Sequence, residues 1–263
     1  MSVESAIFVD DLETLDAVDR DVDRLYYGNE FCDKRLPDPD DVVAALDRAD
    51  REGLSFTYVT PILTPTKVEA LDAILDRLEA AGGADELVFN DWGAYAMTEG
   101  RSVGEPVAGR VLSRQKRDPT VEHLTGETDV PLRADGSAVA ETTLEHFQKS
   151  VLNASYARDH FRRRGVDRVE LDVLTQGIFD EDVDLGASLY HPWNYVTVKR
   201  WCHESTTAPL CNEACEDTVY TLDNRPVMPR KLYRHNNVVF CYTEDVPEVS
   251  SVDRSVFVPE PIN

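Results

Sequence analysis

Leu54-Ser55-Phe56-Thr57-Tyr58-Val59-Thr60-Pro61, a helical stripe over 67–81, and then Glu86-Leu87-Val88-Phe89 form the stretch that decides the fold. The first segment is β-branched and aromatic and reads as a strand stopped by Pro61. Val68, Leu71, Leu75 and Leu78 then recur at helical spacing. They predict an amphipathic helix from Lys67 to Ala81, ended by Gly82-Gly83. Glu86 to Phe89 is the next strand and breaks into Asn90-Asp91-Trp92-Gly93. Parallel neighbours in a sheet need a crossover, and a helix of this length supplies it.

The same period runs outward in both directions. Upstream, Ala6 to Val9 reads as a strand, Asp10 to Asp21 as an acidic helix, and Arg24 to Gly28 as a strand. The loop 29–35 follows, then a helix opened by Pro37-Asp38-Pro39-Asp40-Asp41 and ended by Gly53. Downstream, Ala94 to Glu99 is a short helix and Pro106 to Leu112 a strand. Residues 118–138 are a polar loop, and Glu141 to Arg164 is the longest helix. Arg168 to Leu174, Trp193 to Lys199 and Asn236 to Tyr242 complete seven or eight strands. The alternation predicts an α/β fold, a single-domain (β/α) barrel that is TIM-like and either complete or partly opened. The barrel is expected over residues 1–245, with 246–263 a peripheral C-terminal tail.

The 263 residues carry a formal net charge of -23, and only six of the 27 basic residues are lysine. Carboxylates spread along the whole chain, with arginine in place of lysine, fit a halophilic protein whose self-repulsion is screened by salt. At molar salt the Debye length is about 3 Å, so this charge does not by itself exclude a nucleic-acid substrate. No run approaches the roughly 18–20 apolar residues of a membrane span. Met1 to Ser5 lacks the basic start of a signal peptide. The expectation is a soluble cytoplasmic protein, in which clustered cysteines point to metal or redox chemistry before disulfides.

Three of the five cysteines lie close together as Cys202-x8-Cys211-x3-Cys215. In a parallel barrel, sites form on the loops after the carboxyl ends of the strands. Cys32 follows the second strand and Cys202 follows a late one, so topology places them on one face and makes Cys32 the fourth thiolate. Four thiolates suit zinc or an iron–sulfur cluster. The one-plus-three spacing lacks the close pairs usual for structural zinc and suits a cubane better. Cys241 sits in an apolar run and reads as a core thiol. Asn90 and Asp91 could bind substrate or cap the following helix. Arg114, Lys116 and Arg117 could hold an anionic substrate or form a solvated loop. His203 could be a donor beside Cys202 or a solvated loop residue. Neither G-x-S-x-G nor H-E-x-x-H occurs, so the motifs give no support to proteolysis, and no catalytic residue is assigned.

Tyr26-Tyr27-Gly28-Asn29-Glu30-Phe31-Cys32-Asp33-Lys34-Arg35 resembles the "YLGE…CSKR" segment of ubiquinone-biosynthesis accessory proteins in the peptidase U32 (collagenase-like) family. Phe89 to Gly93 is similar to the family's "NDLG"-type turn. Gly109-Arg110-Val111-Leu112 matches the place of its next strand. The cysteine trio looks like the family's last three cluster ligands. The likeness covers roughly residues 5–220 and is nearest to the short, single-cluster UbiV-type branch. It lacks the glycine-rich cysteine motif of the family's peptidases, and its x8 gap is shorter than in the bacterial quinone proteins. The resemblance implies a [4Fe–4S] cluster on Cys32, Cys202, Cys211 and Cys215. It further implies oxygen-independent hydroxylation of a quinone precursor, a small molecule, in a heterodimer with a paralogous protein. The alternatives are hydroxylation of RNA bases by the same fold and a non-catalytic, metal-stabilised partner subunit.

Overall fold

The computed structural model describes residues 3–121, 143–179, 183–200, 202, 211, 215, 218–223, 228–247 and 249–262. In chain order, β1 (Glu4–Val9), α1 (Leu12–Ala17), β2 (Arg24–Gly28), α2 (Pro39–Glu52), β3 (Ser55–Val59) and α3 (Val68–Ala80) set up the alternation. Then come β4 (Glu86–Phe89), α4 (Trp92–Thr98), β5 (Glu105–Ala108), α5 (Arg110–Ser113), α6 (Thr143–Gln148), α7 (Ser155–Arg162), β6 (Arg168–Asp172) and β7 (Gly186–His191). A four-stranded antiparallel sheet follows, built from β8 (Trp193–Val198), β9 (Val219–Leu222), β10 (Leu232–His235) and β11 (Val238–Tyr242) in the order β8-β11-β10-β9. The last strand is β12 (Val252–Phe257). β1 to β7 and β12 close an eight-stranded parallel barrel in the order β1-β12-β7-β6-β5-β4-β3-β2.

The barrel is complete rather than opened, and three readings of its elements are corrected. The segment 246–263 is not peripheral: β12 pairs with both β1 and β7 and closes the ring. Trp193–Val198 and Val238–Tyr242 are strands, but of the antiparallel sheet, and not of the barrel. The strand over 106–112 ends at Ala108, because Asn90 Oδ1 accepts the Val111 N–H at 3.3 Å and fills the space where a Cβ on Gly109 would lie. The chain turns there into α5.

Within the described part of 141–164 the long helix is interrupted. The Ser150 hydroxyl accepts the Leu152 N–H at 3.1 Å, and Asn153 Oδ1 accepts the Ser150 N–H at 2.8 Å. Short polar side chains that bond to nearby backbone compete with helix, and here they win. Most of the loop expected at 118–138 lies outside the described residues.

Alternate strand residues face two different cores. Ile7, Val9, Leu25, Phe56 and Leu87 pack against α2 and α3 through Val42, Leu46, Leu71, Ile74 and Leu78. Ala6, Phe8, Tyr26, Val59, Val88, Val107, Tyr190 and Val256 form the barrel interior. Its amino-terminal end is plugged by charge. Glu4 accepts from Arg24 Nε at 2.8 Å and Arg254 Nε at 2.6 Å, and Glu86 takes both Arg254 Nη atoms at 2.5 and 3.0 Å.

Above this layer the Tyr26 hydroxyl donates to Glu170 Oε1 at 3.2 Å, while Glu170 Oε2 has no partner. Burial, with the Glu86 charge adding to it against Arg254, lifts the Glu170 carboxyl to about 7. Its folded pKa is therefore above its unfolded one. The cost of ionising it is absent below the unfolded value of 4.5, grows as pH rises, and is complete above about 7. Glu170→Gln is expected to gain roughly 3 kcal/mol on wild type between pH 5 and pH 8. Urea unfolding at the two pH values checks this, and parallel stability curves would refute it.

Candidate functional site

The carboxyl ends of the barrel strands carry the site, and the β2 exit sets its geometry. Gly28 has φ +134°, and a Cβ there would lie 2.2 Å from the Val59 carbonyl oxygen. Only glycine fits so close to β3. Asn29 Oδ1 then accepts the N–H groups of Phe31 at 3.1 Å and Cys32 at 2.9 Å, fixing a tight turn. Asp33 accepts the Thr64 N–H at 2.7 Å and the Thr64 hydroxyl, which ties the turn to the β3 exit. Cys32 is thus held by three short side chains and one glycine.

Cys32 is half-buried and precedes a 3-10 turn over Asp33–Arg35. Burial pushes its thiol up; the Lys34 N–H, and less strongly that of Arg35, favours the thiolate; the charge of Cys215 pushes it up again. Cys215 is therefore within electrostatic reach of Cys32, although the two are far apart in sequence. The Asn237 side chain makes a second bridge. Its Nδ2 donates to Phe31 O and Lys199 O, both at 3.0 Å, so it joins the residue before Cys32 to the end of the β8 arm that leads to Cys202. Cys202 is half-buried, Cys211 and Cys215 are exposed, and Cys241 lies in the core as expected. Trp201, His203 and residues 204–210 lie outside the described residues. Among the described residues no three cysteine sulfurs come within 4.8 Å of one another; Asp10, Asp11 and Glu260 are the group that does.

Directly behind Cys32 lies a buried ion network that sequence reasoning missed. Arg110 is 1% exposed. Its Nε donates to Glu30 Oε1 at 3.1 Å, its Nη2 pairs with Glu30 Oε2, and its Nη1 donates to Asp172 Oδ1 at 2.6 Å. Arg117 Nε takes the other Asp172 oxygen at 2.8 Å. Burial alone would lower the Arg110 pKa, but the Asp172 and Glu30 charges more than offset it, so the guanidinium is held charged. Burial likewise raises the Glu30 carboxyl against the pull of Arg110. The Phe31 ring packs on Tyr195 at 4.8 Å and Phe240 at 6.2 Å. The Tyr195 hydroxyl donates to Arg110 O at 3.3 Å. The network thus braces the β2 exit, α5, β6 and β8 against one another. A signal was present in the sequence: Arg168, Glu170 and Asp172 alternate along one strand, which in a sheet covered on both faces puts charge inside the barrel.

The other candidates resolve differently. Asp91 caps α4, with Oδ1 accepting the Ala94 N–H at 2.9 Å and Oδ2 the Leu63 N–H at 2.5 Å. Asn90 is buried and donates to Thr60 O at 2.9 Å. Asp91 thus makes the capping bond, and Asn90 joins its loop to the β3 exit. Arg114 is exposed in a left-handed conformation, φ 48°, and Lys116 Nζ donates to Lys149 O at 2.9 Å. Arg117 belongs to the buried network rather than to the surface. No helix among the described residues is long and apolar enough to cross a membrane.

What the Cys32 turn offers chemically is one half-buried thiol after β2, with backbone N–H groups favouring its thiolate and charge balanced in the neighbouring network. Such a donor suits a soft metal or an iron–sulfur cluster. No family model matches the chain. No curated protein matches it either. Among solved structures, the chain is similar to the U32 peptidase Mk0906, with a TM-score of 0.51 and 14% identity over 99% of this chain and 94% of that one. At that identity the likeness is one of fold, and it extends over the whole barrel.

Proposed function

We propose that this chain is an iron–sulfur protein of the peptidase U32 family that takes part in oxygen-independent hydroxylation of a small quinone precursor, together with a paralogous partner. The observation that supports the reading is the Asn237 bridge between the Cys32 turn and the arm that leads to Cys202, with the Cys215 charge felt at Cys32. The fold shared with a U32 peptidase supports it. Cys32, Cys202, Cys211 and Cys215 would hold a [4Fe–4S] cluster, which when bound supplies one-electron transfer. The residues around Cys32 do the rest. Asn29 and Asn237 orient the two arms, the Lys34 N–H favours the thiolate, and Phe31, Tyr195 and Phe240 close the back of the site to water.

Anaerobic purification tests this. The protein should be brown and carry about four iron and about four sulfide per chain. Cys32→Ser should lose iron as fully as Cys211→Ser. A colourless protein with one zinc overturns the cluster, and unchanged iron in the Cys32 variant overturns the ligand assignment. Deleting the gene and profiling quinones and modified nucleosides in anaerobic cells then identifies the substrate class. Loss of a quinone supports the proposal, and loss of a modified nucleoside shifts it to RNA.

A further inference from the structure

Two buried polar groups inside the barrel take no part in the proposed reaction. In the β6–β7 register Glu170 lies opposite Ser188, and Asp172 opposite Tyr190. Residues two apart on a strand share a face, so Glu170 and Tyr190 are diagonal neighbours within the barrel. Both are 0% exposed. Each ends in an atom with no hydrogen-bond partner among the described residues, Glu170 Oε2 and the Tyr190 hydroxyl. Buried polar groups are paired as a rule, because an unpaired one keeps its full desolvation cost.

Their remaining contacts hold them in place. Glu170 Oε1 accepts from the Tyr26 hydroxyl at 3.2 Å, and that hydroxyl accepts from Arg254 Nη1 at 2.6 Å. The Tyr190 ring meets Tyr26 edge-on at 6.0 Å and lies 4.2 Å from the Arg110 guanidinium. After burial, the Glu170 charge does most to raise the Tyr190 phenol, ahead of Glu30 and Tyr26. The two groups therefore sense each other across a gap too wide for a direct bond. The charged groups that face Glu170 are committed elsewhere. Arg254 from β12 pairs with Glu4 and Glu86, and Arg168 on its own strand pairs with Asp253. Glu86 from β4 and Glu30 from the β2 exit oppose its ionisation, and Arg110 from α5 is paired with Glu30 and Asp172. A donor and an acceptor sealed from solvent and just out of reach of each other are what a buried water bonds.

We infer that Glu170 and Tyr190 hold one internal water between them and together form a proton-binding site inside the barrel. The water accepts from the Tyr190 hydroxyl. It donates to Oε2 when Glu170 is ionised and accepts from Oε2 when Glu170 is protonated. Tyr190 lies against Arg110, so the charge that Glu170 gains on losing its proton falls one layer from the ion network beside the Cys32 turn.

Magnetic relaxation dispersion of the water signal, measured on the full chain, counts waters held longer than the protein tumbles. Carbon NMR of glutamate labelled at the side-chain carboxyl follows Glu170 with pH, and Glu170→Gln identifies its signal by removing it. Tyr190→Phe deletes only the hydroxyl and should lose one long-lived water. It should also raise the pH midpoint of the Glu170 carboxyl by about one unit or more, since the carboxylate loses a hydrogen-bonded chain that favours it. Glu170→Met should lose the same water, and the double variant no more than either single one. A water count unchanged in both variants, or a Glu170 midpoint unmoved by Tyr190→Phe, overturns the site. If circular dichroism shows that Tyr190→Phe does not fold, the water count of Glu170→Met decides alone. None of these readouts depends on the cysteines.

Discussion

Replacing Arg110 by methionine is expected to cost roughly 3–5 kcal/mol of folding stability, because it leaves Glu30 buried without a counter-charge. Asp172 keeps Arg117, whereas among the described residues Arg110 is the ion-pair partner of Glu30. Domains are commonly stable by about 5–15 kcal/mol, so the loss should appear as a large fall in the urea midpoint. The companion experiment is Glu30→Leu combined with Arg110→Met. Two apolar side chains of similar volume remove both desolvation costs, so the pair should lose less than the sum of the single changes. Strict additivity would mean that the two groups do not act on each other, and the account of the network would be wrong. A raised Cys32 alkylation rate in Arg110→Met should accompany the loss, since Glu30 lies two residues from the thiol and its carbonyl accepts the Ile62 N–H at 3.1 Å.

Gly28→Ala should be nearly as costly, at roughly 3 kcal/mol or more, for a reason of sterics and not charge. Gly28 pairs with Val59 in the β2–β3 register, and the Asn29 N–H bonds the Val59 carbonyl at 3.3 Å. A methyl group placed 2.2 Å from that oxygen must push two central strands apart, and φ +134° is closed to alanine in any case. Gly53→Ala is the control: its φ is also positive at 71°, but nothing lies within 4 Å of its added Cβ. Backbone strain alone should make that change the milder one. Equal losses at the two positions, measured by urea unfolding, would remove the packing part of the argument. A Gly28→Ala variant within about 0.5 kcal/mol of wild type would remove all of it.

These two residues also show how far the sequence could be read. The β2 segment, α2 with its Gly53 stop, α3 and β4 follow from periodicity, since each has one apolar face and a clear punctuating residue. β12 has no such face. Its inward residues include Arg254, whose partners Glu4 and Glu86 sit on other strands, so Val252-Asp253-Arg254-Ser255 looks like a surface tail until the ring is closed. β8 and β11 alternate like barrel strands, and nothing local distinguishes an antiparallel sheet beside the barrel from two more staves within it. Arg110 was legible as part of a family-like strand segment but not as a buried cation, because its acids lie 80 and 62 positions away.

The sequence by itself determined the strand–helix period and the parallel barrel class, and it pointed to the carboxyl-end face and to the cysteines as the place to look for a site. Each rests on local spacing or on a general rule of barrel topology. Only the tertiary structure decided that the ring is closed by Val252–Phe257, that Asn237 bridges the two cysteine-bearing arms, and that Glu30, Arg110, Asp172 and Arg117 neutralise one another behind Cys32. Those are long-range pairings of polar groups. A strand's period records which side of it is apolar, but not which distant charge will make its polar side tolerable inside a barrel.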